Sequence, residues 1–492
     1  MQKMLFDIEQ KTINDILNPN TYRGIYSFHK YWGKKPPESI IYFIQNYTSE
    51  SDIILDPFLG SGFISNESLK RNRRFIGIDL NPFSIEHTKF LLDMPSPVEY
   101  WQAIKEIKSE IKDLIYSSYR LESGNIGSHY LWNNNTLLQV WVKPENGRTR
   151  IEIKPTDFDI QIYNAFDNYK IKYIRKPQFF TNSRINSKSS MSLSDLFTRR
   201  ALRNIDLLIA KIKQYPESLQ RALYLTLTSA SGQMSSMVFA ITKRGKTKNE
   251  ISEKIEVGSW VIGFWRPELH FEINVWNCFE NKAKKLYNAL QNTNKEKYII
   301  YNDLPELFNS NTGGYVTNNN CLITMKNIPN NSIQLICTDP PHSDRIPYLE
   351  LSEMWNSILN KKASFEEEIV VSNAKERKKE KMNYINDMSK FIRESERILK
   401  KEGVFLLYFN ARDKESWKFM EIIKTSSDLE FFGAFPVEYS ANSVVQDNRK
   451  GGMKTDYILI MKHKGSCILN LYDFDRIPGW ISVLPKSSEN MF

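Results

Sequence analysis

At 492 residues, with 41% hydrophobic and 13% aromatic residues, the chain carries enough apolar surface for more than one folded domain, which excludes disorder over most of its length. Its formal net charge of +10 and sequence pI of about 9.0 favour a polyanionic partner. Its four cysteines, Cys278, Cys321, Cys337 and Cys467, form no Cys-x-x-Cys pair, which excludes an ordinary zinc ribbon and a disulfide framework.

Reduced thiols in a cytoplasmic protein are therefore expected, with no metal site. Met1 to Asn20 is polar and amphipathic, without the apolar core or cleavage site of a signal peptide. No apolar run reaches the roughly 18 residues that a membrane span needs.

In chain order, an aromatic and basic segment comes first, Tyr26-Ser27-Phe28-His29-Lys30-Tyr31-Trp32-Gly33-Lys34-Lys35-Pro36-Pro37. Ile40, Ile41, Phe43 and Ile44 then recur at helical spacing from Glu38 to Tyr47, with Pro36 and Pro37 near the helix start, where proline is tolerated. Ile53-Ile54-Leu55 and Phe75 to Ile78 are short apolar runs bounded by turn residues, as expected of strands buried in a parallel sheet. Between them, Asp56-Pro57-Phe58-Leu59-Gly60-Ser61-Gly62 makes a tight turn whose glycines admit a close ligand. Asp79, at the second strand end, is placed to hold a ribose diol, and Asn81-Pro82 follows. The turn lacks the Gly-x-Gly-x-x-Gly that would seat a pyrophosphate.

These residues resemble the cofactor motif of DNA amino-methyltransferases, Asp-Pro-Phe-x-Gly-x-Gly followed by Gly-Ile-Asp-x-Asn-Pro. The resemblance implies S-adenosylmethionine as cofactor, held by Asp56, Pro57, Phe58, Gly60, Ser61, Gly62, Asp79 and Asn81. His29-Lys30-Tyr31-Trp32-Gly33-Lys34-Lys35-Pro36 is similar to a segment of a bacterial subgroup of these enzymes, which adds Phe28, Trp32 and Lys34 near the methionine end of that ligand.

Helical periodicity continues from Phe83 to Leu92 and from Val98 to Tyr116. From Ile126 to Phe180 the chain reads as β-hairpins, with strands at Leu137–Val142, Thr149–Ile153, Ile160–Tyr163 and Ile171–Ile174 and a turn at Glu145-Asn146-Gly147. Leu193 to Leu227 returns to helix. Lys170, Lys172, Arg175, Lys176, Arg199 and Arg200, with aromatics interleaved, make a candidate DNA surface, and Lys243 and Arg244 in a second basic tract extend it. A solvated charged face is the alternative.

Ser332 to Thr338 is another apolar strand, ending in Asp339-Pro340-Pro341-His342. This resembles the family's Asp-Pro-Pro-Tyr catalytic motif in three of its four positions. An exocyclic amine is a poor nucleophile because its lone pair is delocalised into the ring. The Asp339 carboxylate and a proline carbonyl would bind both amino hydrogens and stabilise the charge that develops during methyl transfer. The fourth residue normally stacks on a base rotated out of the duplex. Here it is His342, and Tyr348 stands close by as a further aromatic. Lys375 to Lys381 reads as a solvated charged stretch, Met388 to Leu399 as a helix, and Val404–Phe409 and Tyr457–Met461 as strands, with Asp447 to Gly452 as a loop between them.

The expected fold is α/β: a Rossmann-like, doubly wound, mostly parallel sheet of the class I methyltransferase type, with a large inserted α+β domain. Residues 1–100 and 300–465 would form the catalytic domain, residues 101–299 the target-recognition insertion, and residues 466–492 a tail. The expected function is methylation of double-stranded DNA, at adenine N6 before cytosine N4, in a restriction-modification or defence system beside a separate endonuclease. A transfer-RNA guanine-N2 methyltransferase and a catalytically silent DNA-binding subunit are the alternatives.

Overall fold

The computed structural model describes residues 23–35, 37–142, 150–242, 255–260, 263–294, 296–411, 415–425, 427–438 and 455–467. Expected features at 1–20, 145–147, 243–248, 447–452 and 473–492 lie outside these residues. The strands in chain order are β1 (Ile53–Asp56), β2 (Arg74–Asp79), β3 (Gly127–Asn133), β4 (Thr136–Val142), β5 (Ile151–Ile153), β6 (Val238–Ile241) and β7 (Glu256–Trp260), followed by β8 (Leu269–Ile273), β9 (Ile300–Tyr301), β10 (Gly314–Asn318), β11 (Ile333–Thr338), β12 (Leu399–Phe409), β13 (Leu429–Glu438) and β14 (Thr455–His463).

They form a mixed α/β molecule with two sheets. The eight-stranded sheet runs β13-β14-β12-β11-β1-β2-β10-β9, parallel from β12 to β9 and antiparallel where β14 and β13 close it. Its strands are buried on both faces, as the short apolar runs require. Ile54, Phe75, Leu335 and Leu406 point into one core, and Ile53, Ile76, Ile336 and Leu407 into the other. Helices cover both sides: Pro37–Tyr47, Phe63–Leu69 and Pro82–Leu92 supply the first core, and Lys381–Ile398 supplies the second. The strand order reverses at β1, between β11 and β2, and such a reversal opens a crevice at the carboxyl ends of the strands.

The six-stranded sheet, β5-β4-β3-β8-β6-β7, is antiparallel throughout and drawn from residues 127–273. Its residues Tyr130, Val140 and Phe271 share the first core with Phe43 and Phe83 of the other sheet's helices. Trp260 of β7 carries Lys30 of the aromatic loop over its ring, at 4.3 Å from the centroid.

Three local expectations are corrected. Ile160–Tyr163 belongs to a helix, Asp157–Asn164, because Thr156 and Asp159 form a reciprocal capping box that starts it. Ile171–Ile174 forms no strand, because the N–H groups of Lys172 and Tyr173 donate to the Asp206 carboxylate instead of a ladder. Leu193–Leu227 is broken into Leu193–Leu196, Arg199–Ile212 and Glu217–Met234, where Thr198 caps a new start and Pro216 interrupts the chain.

Arg200 is 1% exposed and pairs with Glu272 on β8 at 2.9 Å, its guanidinium lying over the rings of Tyr119 and Tyr130. It is a core strut and not part of a DNA surface. Arg200→Ala leaves the Glu272 carboxylate buried without its cation, and should lower the unfolding free energy by about 3–5 kcal/mol. A urea titration checks this, and a loss below about 1 kcal/mol would show that the pair is not supporting the insertion.

Candidate functional site

Parallel strands end their carboxyl termini on one edge, and three adjacent ones here each end in an acid: Asp339 after β11, Asp56 on β1 and Asp79 on β2. All three line one cleft, together with Trp32, Lys34, Lys35, Pro57, Phe58, Gly60, Ser61, Asn81, Pro341 and Tyr348. The two sequence motifs, far apart in the chain, therefore meet across a single crevice.

Asp56 is buried, and its Oδ1 accepts from Thr338 Oγ1 at 2.6 Å and from Phe58 N at 3.2 Å. Burial pushes its carboxyl up to about 8, with Asp79 and Asp339 adding to the rise and the two hydrogen bonds opposing it. Asp79 spans the glycine turn: Oδ2 accepts from Gly60 N and Oδ1 from Asn81 N, each at 2.7 Å. Burial raises its carboxyl to about 6 despite these bonds.

Gly60 lies on the cleft with φ of 53°. Gly62, with φ of 72°, stands behind it, where a Cβ would lie 2.2 Å from Thr88 Oγ1. Close approach of the helix Pro82–Leu92 thus requires that glycine, not a ligand. Asn81 caps the same helix through Phe83 N, and its amide meets Ser352 and Asn356.

The aromatic loop divides its residues. Trp32 lines the cleft and stacks on Trp355 at 4.6 Å, whereas Phe28 is buried away from it. Lys34 Nζ donates to the carbonyls of Tyr26 and His29, and burial lowers its ammonium to about 7. The neighbouring Lys35, not singled out in the sequence, pairs with Asp339 Oδ2 at 3.1 Å. A Lys-Lys pair alone holds no sign of which member turns inward. Tyr31 was also unforeseen; it lies between Phe83 and Tyr348 at 6.2 Å from each, in near-parallel planes.

The Asp339-Pro340-Pro341-His342 motif differs from expectation at its end. His342 is buried and does not line the cleft; its Nε2 lies 2.9 Å from Asp339 Oδ1. A ring turned inward this way presents no free face to a base. Pro340 also lies off the cleft, and the Pro341 carbonyl accepts from Ser343 N and Tyr384 Oη. The half-buried Tyr348 is the aromatic that reaches the cleft from this half.

Several basic residues bind carboxylates within the chain. Arg175 pairs with Glu353 at 2.8 Å, Arg184 with Asp344, and the buried Arg377 side chain with Glu350 and Glu368, while Lys375, Glu376, Lys378, Glu380 and Lys381 around it are exposed, as expected of a solvated stretch. Arg199 is half-buried and donates to the Tyr169 carbonyl, while Lys170, Lys172 and Lys176 are exposed. Lys243 and Arg244 fall outside the described residues. Among the described residues no cluster of three or more His, Cys, Asp or Glu side chains is arranged to hold a metal, and no helix is long and apolar enough to cross a membrane.

Residues 6–90 match the family described as DNA methylase. A type II methyltransferase, M.MjaII of Methanocaldococcus jannaschii, is 31% identical over 84 residues, which cover 17% of this chain and 16% of that protein. Both matches support an amino-methyltransferase family. The family match takes in β1, the glycine turn and β2 but stops before Asp339.

An acid with a folded pKa near 8 and an unfolded value near 4 binds more protons when folded between those values, so stability falls as pH rises from about 4 to 8. Asp56→Asn should flatten that fall in the ligand-free protein, as measured by thermal midpoints across this range. An unchanged slope in the variant would place the buried proton elsewhere.

Proposed function

We propose that the chain is an S-adenosylmethionine-dependent DNA methyltransferase of the doubly wound, Rossmann-like class, acting on an exocyclic amine of a base turned out of the duplex, adenine N6 first. The observation that carries this reading is Asp339 on the strand beside Asp56, facing the same cleft as Asp79 and the glycine turn. The strands of the eight-stranded sheet fall in 1–100 and 300–465 and those of the six-stranded sheet in 101–299, which supports a catalytic unit with a recognition insertion; residues 466–492 are assigned as a tail.

The cleft fits the cofactor chemically. Asp56 is an acid kept protonated by burial, and a cationic amino group beside it would favour its carboxylate. The carboxylate oxygens of Asp79, each already holding one N–H, retain lone pairs for a ribose diol. Gly60, Ser61, Phe58 and Trp32 would line its remaining walls, with Lys34 fixed beneath them. Bound there, the cofactor supplies an electrophilic methyl group.

Asp339 then accepts a hydrogen bond from the target amine and stabilises the charge that develops on its nitrogen. The Pro341 carbonyl is already engaged by two donors and Pro340 lies off the cleft, so this reading rests on Asp339 rather than on a proline carbonyl. Tyr348 would supply the stacking face, and the exposed Lys170, Lys172 and Lys176 would meet phosphates. Cytoplasmic DNA and a separately acting endonuclease complete the restriction-modification or defence reading.

Labelled methyl should enter duplex DNA and not transfer RNA, and modification-sensitive sequencing of DNA from expressing cells should report N6-methyladenine at a fixed site. Label in transfer RNA alone, N4-methylcytosine, or DNA binding without transfer would each replace this reading by one of its alternatives. Asp339→Ala should lower turnover by at least about 10²–10³-fold while S-adenosylhomocysteine still binds, whereas Asp79→Ala should chiefly weaken that binding. Full activity in Asp339→Ala would remove the catalytic assignment. Tyr348→Ala should raise the DNA KM or lower turnover by roughly 10–100-fold, with Tyr348→Phe close to wild type; an active alanine variant would move the stacking role elsewhere.

A further inference from the structure

We propose that His342 is a positioning residue: as an Nε2–H donor it fixes the Asp339 carboxylate across the cleft. The inference rests on the methyltransferase reading for its effect on turnover, but the state of the ring can be measured independently.

The donor assignment follows from the partners. Nε2 faces two acceptors, Asp339 Oδ1 at 2.9 Å and the Tyr408 carbonyl at 3.1 Å, so the proton sits on Nε2. Nδ1 faces the Arg345 guanidinium at 3.3 Å and accepts from it. Arg345 is itself fixed by donating to the Asn410 carbonyl at 3.1 Å. With an N–H of Arg345 directed at its lone pair, Nδ1 is the accepting nitrogen of the ring and Nε2 the donating one.

Asp339 is thereby gripped from both sides, at Oδ1 by His342 and at Oδ2 by Lys35. Each oxygen keeps a lone pair for a further donor, so the grip sets the plane of the carboxylate without filling it. The backbone enforces the geometry. Ser343 adopts a left-handed φ of 59°, its N–H bonds Pro341 O, and its hydroxyl meets Ser416 Oγ at 2.7 Å. This turn carries the ring back onto the Asp that precedes it, and Phe409 closes its edge at 5.2 Å.

Glutamine and phenylalanine separate orientation from stacking, since glutamine keeps an N–H near the Nε2 position and phenylalanine keeps only a ring. His342→Gln should retain turnover to within about tenfold, whereas His342→Phe should lose about 10²-fold in kcat with little change in the cofactor KM, as expected when a reacting group is misplaced by about 1 Å. S-adenosylhomocysteine calorimetry and thermal midpoints confirm that both variants are folded. An active phenylalanine variant beside an inactive glutamine variant, equal losses in both, or wild-type activity in both would overturn the proposal. Nitrogen NMR of the histidine-labelled full chain, with His342→Gln assigning the resonance among six histidines, reads the ring directly. An Nε2–H tautomer supports the proposal, and an Nδ1–H tautomer or an imidazolium overturns it. If the wild-type chain methylates no nucleic acid, the functional reading fails while the tautomer measurement still decides the state of His342.

Discussion

Three carboxylates brought to one sheet edge, Asp56 buried and Asp79 and Asp339 half-buried on the cleft, are the constraint around which this structure is arranged. Partly desolvated like charges repel one another, and each acid meets the problem differently. Asp56 keeps its proton and gives its lone pairs to Thr338 and Phe58. Asp79 draws in two backbone N–H groups, and in doing so shapes the glycine turn. Asp339 takes a lysine and a histidine. The aromatic loop, the β11 threonine and the turn after Pro341 all find their purpose in this sharing. The same arrangement suits a cation brought in by a ligand.

A second set of charges ties residues 175–182 to that edge. The helix Tyr348–Ile358 is held on one side by Asn81, which meets its Ser352 and Asn356, and on another by Arg175 and Gln178, which meet its Glu353. Glu350 of the same helix receives Asn182 and Arg377. Basic residues that inflate the net charge are thus partly committed to buried acids, where losing one partner costs far more than at a surface. Net charge alone therefore overstates the free basic surface. Of the insertion's described candidates, Lys170, Lys172 and Lys176 remain exposed.

The parallel core was legible because its signals are local: short apolar runs, each ending in an acid or a glycine turn, with strand ends sharing one edge. Residues 53–56, 75–79 and 333–338 fold as their patterns require. The insertion was less legible because its short segments are decided by partners distant in sequence or by single caps. Ile160 and Ile162 alternate as in a strand, yet the Thr156–Asp159 box makes a helix. Lys172 and Tyr173 give up a ladder for the Asp206 carboxylate. Arg200 looks like its basic neighbours until Glu272, on a strand far along the chain, buries it. Composition carries no trace of such pairings.

His342 shows the same limit inside the Asp339-Pro340-Pro341-His342 motif, which matches Asp-Pro-Pro-Tyr in three of four positions. A motif describes residue types in order, but the direction of the fourth side chain depends on the turn that follows. The left-handed Ser343 costs about 1 kcal/mol in backbone strain and persists because Ser416 and the Pro341 carbonyl hold it. Once that turn sends position 342 inward, an apolar ring there would leave Asp339 Oδ1 without its donor. A histidine with Arg345 behind it supplies one, and Tyr348 brings an aromatic face to the cleft from the next helix. The departure from an aromatic at 342 is therefore matched by its neighbours, Arg345 on the ring and Tyr348 on the cleft.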